Sequence, residues 1–187
     1  YYHLGVKSKC PFSMLAVGRF YAEGIGREVD QGEAFKYYGL AAMRGNALGQ
    51  LKLGASYFYG DFLPSNPHEA LVWFRKAADQ DNARAMYYIG YSYMKGLDVT
   101  TDYAKALDWF RKAADKADAW SQYQLGVMYE NAMGVPQDRV TALMWYTLAA
   151  DQKDEDAIAA IAVIKKQMSG GDISRAEKQA KQAKKAS

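Results

Sequence analysis

Hydrophobic and polar positions along this chain recur with a period of 36 residues. The segments ALVWFRKAAD (Ala70–Asp79) and ALDWFRKAAD (Ala106–Asp115) differ at one position and lie 36 residues apart. The same offset aligns columns of glycine, tyrosine, paired aromatic residues and paired alanines over four units, without insertion or deletion. Such self-similarity is typical of repeat proteins. The columns are Gly18, Gly54, Gly90 and Gly126; Tyr21, Tyr57, Tyr93 and Tyr129; Tyr37, Trp73, Trp109 and Trp145; Tyr38, Phe74, Phe110 and Tyr146.

The pattern within each unit predicts two helices. In the second unit the apolar and repeated positions over residues 47–59 fall at helical spacing, and Gly60 suits a left-handed residue after that helix. The second helix is predicted to begin after a side-chain N-cap and to run to about residue 80. The N-cap column is Asp30, Asn66, Asp102 and Asp138. Asp30 with Glu33, and Asn66 with Glu69, also fit a capping box.

The glycine column needs a packing explanation, because a glycine inside a helix costs about 1 kcal/mol relative to alanine. We expect that the missing Cβ lets another helix approach closely. The alanine pairs of the second helices are the expected counterpart, and the repeated aromatic residues are expected to fill the gaps between helix pairs. One helix pair cannot bury its apolar face alone, so adjacent pairs must stack into a solenoid.

With these residues, the chain resembles the Sel1-like repeat family, a relative of the tetratricopeptide repeats. The shared pattern is LG-x-x-Y-x-x-G, a short loop, D-x-x-x-A and then W-[FY]-x-x-AA. In the fourth unit it is carried by Leu125, Gly126, Tyr129, Asp138, Ala142, Trp145, Tyr146, Ala149 and Ala150. That unit departs from the pattern with Ala132 in place of glycine. The resemblance implies an all-α, right-handed α/α superhelix (a solenoid) of 36-residue helix-turn-helix repeats with a C-terminal capping helix.

The repeat phase divides the chain into an array at residues 1–169 and a basic capping helix at 170–187. Within the array we predict a partial unit at 1–10, full units at 11–46, 47–82, 83–118 and 119–154, and a terminal helix at 155–168. Residues 1–4 align with 37–40, which predicts that the chain begins inside a second helix and that upstream residues are missing. The segment MSGGD is expected to break the chain before a last helix over Ile173–Lys185.

The amino-acid composition limits the kinds of functional site that the chain can contain. The 187 residues include one cysteine, Cys10, and two histidines, His3 and His68, which excludes an internal disulfide framework and a multi-cysteine zinc site. We predict no cofactor and no metal. No apolar run is long enough to cross a membrane. The net charge of +3 comes entirely from residues 170–187, which hold five basic and two acidic residues.

Columns that vary between units point to a candidate binding face. Positions at i, i+4, i+7 and i+11 of each first helix share one side of that helix and are not constant between units. The family resemblance implies that first helices line the concave side of the superhelix. The partner-binding candidates on this face are Arg19, Lys52, Tyr59, Arg84, Tyr88, Tyr91, Lys95, Trp120 and Gln124. The alternative is that these residues pack between units. We expect that changing Tyr88 and Trp120 to alanine weakens partner capture without unfolding the array.

The function we predict is that of a non-enzymatic protein–protein interaction scaffold. Its groove binds a peptide or partner protein, with a basic rim that suits acidic segments. The resemblance implies a bacterial protein in signalling, envelope or host-interaction roles, and an exported location, periplasmic or secreted, is favoured over the cytoplasm. A hydrolase is the alternative, since cysteine-rich relatives have been described as β-lactamase-like or penicillin-binding, although they carry a cysteine pair in each repeat. Nucleic-acid binding by the basic tail is not predicted, because no aromatic residues interleave its charges. The oligomeric state stays open.

Overall fold

The computed structural model describes residues 10–26 and 28–186, and within them the chain forms ten α-helices, one 3₁₀ turn and no strand. The predicted all-α class is therefore confirmed. The helices are α1 (Pro11–Glu23), α2 (Gln31–Met43), α3 (Ala47–Tyr59), α4 (Pro67–Ala78), α5 (Ala83–Lys95), α6 (Tyr103–Ala114), α7 (Ala119–Glu130), α8 (Arg139–Ala150), α9 (Glu155–Ile164) and α10 (Gly170–Ala186), with the 3₁₀ turn at Lys165–Gln167. The part of the proposed partial unit at residues 1–9 lies outside the described residues.

The described residues form two compact units, which are distinct from the repeat units and are divided between Tyr88 and Ile89. In the first unit α1 packs against α2, α2 against α3, and α3 against α4. In the second unit α6 packs against α7, and α8 contacts α7, α9 and α10. In the pairs α1–α2, α3–α4 and α7–α8 the first helix thus lies beside the second helix that follows it, as the repeat pattern predicts. None of the described helices is both long and apolar enough to span a bilayer.

The second helices begin at the predicted side-chain caps. The backbone N–H of Glu33 donates to Asp30 Oδ1 at 2.9 Å, and that of Glu69 donates to Asn66 Oδ1 at 3.1 Å. The prediction of a full capping box is wrong, because the N–H of Asp30 donates to the carbonyl of Tyr21 at 2.9 Å. The same bond joins Asn66 to Tyr57, Asp102 to Tyr93 and Asp138 to Tyr129. The backbone of the tyrosine column therefore ties each loop to the helix before it.

The glycine column packs against aromatic rings. A Cβ built on any of these four glycines would lie closer than 3.0 Å to ring carbons of the second aromatic column. The pairs are Gly18 with Tyr38, Gly54 with Phe74, Gly90 with Phe110, and Gly126 with Tyr146. The predicted counterpart, the alanine pairs, is wrong for this column, since Ala41 instead faces Gly49, at 2.7 Å from a Cβ built there. The glycines thus make room for a ring within their own helix pair.

The loop after each first helix has the predicted left-handed residue, directly after the helix in the first three repeats and two positions after it in the fourth. Gly24, Gly60 and Gly96 have φ of 67°, 77° and 71°, and Ala132 has φ of 56° in the fourth unit. A left-handed conformation brings Cβ close to the following carbonyl oxygen and costs about 1–2 kcal/mol for a residue other than glycine. Ala132 therefore holds a conformation that its three counterparts adopt without that cost.

Replacing Ala132 with glycine is expected to stabilise the second compact unit, which contains the fourth repeat, by about 0.5–1 kcal/mol. Removing Cβ relieves the strain, while the greater freedom of glycine in the unfolded chain offsets part of the gain. Urea denaturation followed by circular dichroism measures the change. The reverse substitution, Gly96→Ala, is the matched control and should destabilise, since its Cβ would lie 2.7 Å from Thr101 Oγ1. A lower urea midpoint for Ala132→Gly would contradict the prediction.

The C-terminal helix α10 begins at Gly170, the first residue of the predicted capping segment and three residues before the helix predicted over Ile173–Lys185. The expected break is confined to Met168 and Ser169, where the chain leaves the helical conformation, and Gly170 and Gly171 already lie inside α10. Ser169 caps the helix by accepting the N–H of Asp172 at 3.1 Å. Ala176 and Ala180 are buried, and α10 packs on α8 through this small-residue face.

A pair of glutamines that the repeat comparison missed joins the two helices of one repeat in each compact unit. Gln50 and Gln122 are buried, and their Oε1 atoms accept from Gln80 Nε2 at 2.8 Å and from Gln152 Nε2 at 2.9 Å. A buried side-chain amide needs such a partner. In the third repeat the equivalent positions are Met86 and Lys116, so the two glutamines do not form constant columns in the sequence.

Candidate partner-binding face

The candidate face on the first helices contains an open cavity in the first unit. The cavity lies between α1 and α3 and has a volume of about 220 Å³. It is lined by Phe12, Leu15, Ala16, Arg19, Phe20, Tyr38, Leu48 and Lys52. Five of these residues belong to the variable columns that defined the candidate face. The structure therefore brings two predicted partner-binding residues, Arg19 and Lys52, to one cavity.

The cavity has an apolar wall and a basic rim. Phe12 is 72% exposed, and Arg19 and Lys52 are also exposed. Arg19 Nε lies 3.7 Å from Glu23 Oε2, an exposed ion pair that contributes little and leaves the arginine accessible. Burial, aided by the nearby Glu23, raises the pKa of the Tyr38 phenol to about 12, further above physiological pH than the ordinary value of a tyrosine. The fixed charges of the cavity are then the two cations at its edge.

Two tyrosines of the first unit form a pair in which one ring is buried. The Tyr88 ring is only 6% exposed and stacks on Phe74, with centroids 4.5 Å apart and planes 5° apart. Its hydroxyl lies 3.0 Å from that of Tyr59, which is 58% exposed. Burial, with the hydrogen bond to Tyr59, raises the Tyr88 pKa. Tyr59 therefore offers the accessible surface, and the expectation that Tyr88 can be truncated without loss of stability has to be revised. Contact of either residue with a partner stays a prediction.

The remaining candidate of the first unit, Arg84, lies on α5. It is half-buried, and its guanidinium carbon is 5.9 Å from the centroid of the Tyr87 ring. This geometry is at the outer limit of a cation–π contact. Arg84 adds a third positive charge to the first-helix residues of this unit.

The second unit carries the other four candidates on two helices. Tyr91 and Lys95 lie one turn apart on α5, with Lys95 Nζ 5.9 Å from the Tyr91 ring centroid. Trp120 and Gln124 lie one turn apart on α7, where Trp120 is 40% exposed and Gln124 is half-buried. Their role in partner binding stays a prediction.

The second helices of the first unit form an apolar cavity that the search for variable first-helix columns missed. It has a volume of about 430 Å³ and lies between α2 and α4. Leu40 and Met43 line it beside Trp73. The aligned repeats do indicate this apolar surface, because the position of Leu40 is lysine, and that of Met43 is aspartate, in the second and third repeats.

Cys10 is the single cysteine, and it lies half-buried at the N-cap of α1. Hydrogen bonds from backbone N–H groups, that of Ser13 above all, lower the pKa of its thiol. Over residues 10–26 and 28–186 no three His, Cys, Asp or Glu side chains come together as a metal site would require.

Stacked helix pairs with capped second helices and a glycine–aromatic contact in each pair define an α-helical repeat protein. A family model of the Sel1 repeat matches residues 11–46, 47–82, 83–118 and 121–154. The chain belongs to the Sel1 repeat family, whose repeats typically mediate protein–protein interactions. The predicted family and the Sel1-like fold class are both confirmed. No curated protein matches the chain.

Solved structures of bacterial proteins share the fold. A Sel1 repeat protein from Oxalobacter formigenes is 32% identical with a TM-score of 0.78, over 95% of this chain and 72% of that one. An immunity protein from Pseudomonas aeruginosa is 20% identical with a TM-score of 0.63, over 98% and 70% of the two chains. A protective antigen of uropathogenic Escherichia coli strains, which displays an SLR fold, is 21% identical with a TM-score of 0.59. The similarity to the antigen covers 97% of this chain and 47% of the antigen, so the chain spans about half its length.

Proposed function

We propose that the chain is a non-enzymatic scaffold that binds a peptide or an exposed loop of a partner protein on its first-helix face. The observation that carries this proposal is the open cavity between α1 and α3, which is lined by residues of the variable columns. Residues that hold the repeat together recur in every unit, whereas these do not. Their apolar side chains stay exposed around a concavity, which is typical of an interaction surface.

The charge on this face suits an acidic segment. In the first unit the candidate positions carry Arg19, Lys52 and Arg84 against one acid, Glu23. A volume of about 220 Å³ accommodates one large apolar side chain of a ligand. We therefore propose a ligand that inserts an apolar side chain beside Phe12 and presents a carboxylate to Arg19 and Lys52. Complementary charge of this kind favours association and selects against basic partners.

The proposal is tested with peptides selected from a random display library on the whole chain. The double variant Arg19→Glu/Lys52→Glu should weaken binding of the selected peptides about tenfold or more, because it reverses the charge at the cavity edge. Lys166→Glu/Lys178→Glu is the matched control, since it makes the same charge change at exposed residues outside this face. Fluorescence anisotropy of labelled peptides gives both affinities.

Two results decide against the proposal. One is a set of selected peptides whose affinity is the same for the charge-reversed and the original chain. The other is an equal loss in the control variant, which would show that net charge alone governs binding. Circular dichroism of each variant checks that the helices are retained.

A further inference from the structure

The second helices of the middle units place a cation on the tryptophan of the repeat. Lys76 Nζ lies 4.0 Å from the centroid of the Trp73 ring, and Lys112 Nζ lies 4.6 Å from that of Trp109. Both distances are within the range of a favourable cation–π interaction. In two repeats, therefore, a lysine ammonium group of the chain itself lies over the tryptophan ring.

The fourth repeat keeps the tryptophan, as Trp145, and lacks the lysine that covers it in the second and third repeats. Trp145 is followed one turn later by Leu148, which is 8% exposed, where the two preceding units have lysine. Both residues line a cavity of about 700 Å³. The cavity lies between the C-terminal ends of α6, α8 and α10, all in the second unit. An indole ring that the second and third repeats cover with an ammonium group is here part of the wall of an open cavity.

The charged groups around this cavity favour a cation. Asp115 and Asp151 line it, and Lys184 of α10 forms an ion pair with Asp151. Asp115 is exposed and forms no ion pair with any described residue. Three charged side chains thus leave one negative charge in excess. The side-chain amides of Gln122 and Gln152 complete the polar lining.

We propose that this cavity binds a lysine-bearing segment of a partner protein, with the lysine ammonium against Trp145 and beside Asp115. The ligand lysine then reproduces the contact that Lys76 and Lys112 make within the chain. The cavity is larger than a single side chain needs, so it also admits the backbone of the segment. Lys184, which already neutralises Asp151, acts as a resident competitor for the incoming cation. This site belongs to the second compact unit and prefers a cation, whereas the cavity between α1 and α3 belongs to the first compact unit and suits an acidic segment.

The probe is a blocked pentapeptide, acetyl-Gly-Lys-Gly-Lys-Gly-amide, added to the whole ¹⁵N-labelled chain. The indole N–H resonance of Trp145, assigned through Trp145→Phe, should shift with a dissociation constant in the range of about 1 mM. Matched peptides carrying norleucine or glutamate in place of lysine should bind at least about fivefold more weakly. An acidic or apolar occupant of the cavity would reverse that order and overturn the proposal.

Three variants test the roles of individual side chains. Leu148→Lys supplies the lysine of the second and third repeats and should weaken binding of the lysine peptide about tenfold by covering the Trp145 ring. Asp115→Asn should weaken it about threefold, whereas Asp79→Asn, the same column beside the covered Trp73, should leave it unchanged. Lys184→Met should tighten binding about threefold by freeing Asp151. A gain of affinity is not expected from a change that merely loosens the fold.

The outcomes separate clearly. If Leu148→Lys does not fold, the comparison of Asp115→Asn with Asp79→Asn still decides. Unchanged binding by Asp115→Asn and by Lys184→Met would overturn the proposal. Tetramethylammonium chloride that shifts the Trp145 resonance at the same concentration as the lysine peptide would assign the cavity to small organic cations and would overturn the partner-segment proposal.

Discussion

Gly126→Ala is expected to lower the stability of the second compact unit by about 1–3 kcal/mol, because the helix propensity that alanine gains, about 1 kcal/mol, offsets part of the overpacking cost. The added Cβ would lie closer than 3.0 Å to Cδ1 and Cε1 of Tyr146, a distance that real Cβ atoms do not show. The ring has no free space to retreat into, because Tyr146 is fully buried and its hydroxyl donates to Glu130 Oε2 at 2.7 Å. Overpacking at a fixed site costs about 1–3 kcal/mol, and breaking the hydroxyl contact adds to that cost.

Urea denaturation followed by circular dichroism measures this loss. The transition is analysed separately for the two compact units, because they need not unfold together. The control is Gly39→Ala, which also lies inside a helix but whose Cβ would meet nothing within 4 Å. That variant should gain up to about 1 kcal/mol from the better helix propensity of alanine. A Gly126→Ala chain as stable as the original would show that the glycine–aromatic contact does not shape the repeat.

Tyr88→Ala is expected to destabilise the first unit by about 3–5 kcal/mol. Truncation of a large buried ring removes its apolar contacts and leaves a cavity. The ring stacks on Phe74 and also lies 5.3 Å, centroid to centroid, from Phe58, so one substitution removes several aromatic contacts. Tyr88→Phe keeps the ring and removes only the hydroxyl bond to Tyr59, and should cost about 1 kcal/mol.

The comparison with Trp120→Ala makes this prediction specific. Trp120 is 40% exposed on α7, so its truncation should cost about 1 kcal/mol or less. Thermal and urea denaturation of the three variants give the order of stability. A Tyr88→Ala chain as stable as the Trp120→Ala chain would contradict the conclusion that the Tyr88 ring is part of the core. If the predicted order holds, Tyr59→Phe and Trp120→Ala are the variants with which to examine partner binding, since neither truncates a buried ring, and Tyr88→Phe controls for the loss of the Tyr59–Tyr88 hydroxyl contact.

Local features of the helix pairs could be predicted in detail from the repeat. The N-cap acceptors and the left-handed residue at 60 act on backbone groups within a few positions, so residue identity and spacing identify them. The capping box failed because the competing acceptor is the Tyr21 carbonyl, nine residues before the cap. A side-chain motif cannot reveal a backbone partner on the preceding helix.

The candidate face was predicted as a set of columns, and its shape was not. Helical spacing places Arg19 and Lys52 on corresponding faces of two helices, but whether those faces enclose a cavity depends on the separation of α1 and α3. The burial of Tyr88 was missed for the same reason. Its column contains Ala16, Lys52 and Gln124 in the other units, so nothing in the sequence marks it as a core position.

The repeat period, the helix pairs, their caps and the family follow from the amino-acid sequence alone, because these features depend on spacing within about 36 residues and recur in four copies. The packing of the helices is needed to see which ring each glycine accommodates, which tyrosine is buried, and where Trp145 and Leu148 border an open cavity. These outcomes depend on contacts between side chains of different helices. Such contacts depend on the distance between neighbouring helices, and the residue types at one repeat position do not encode that distance.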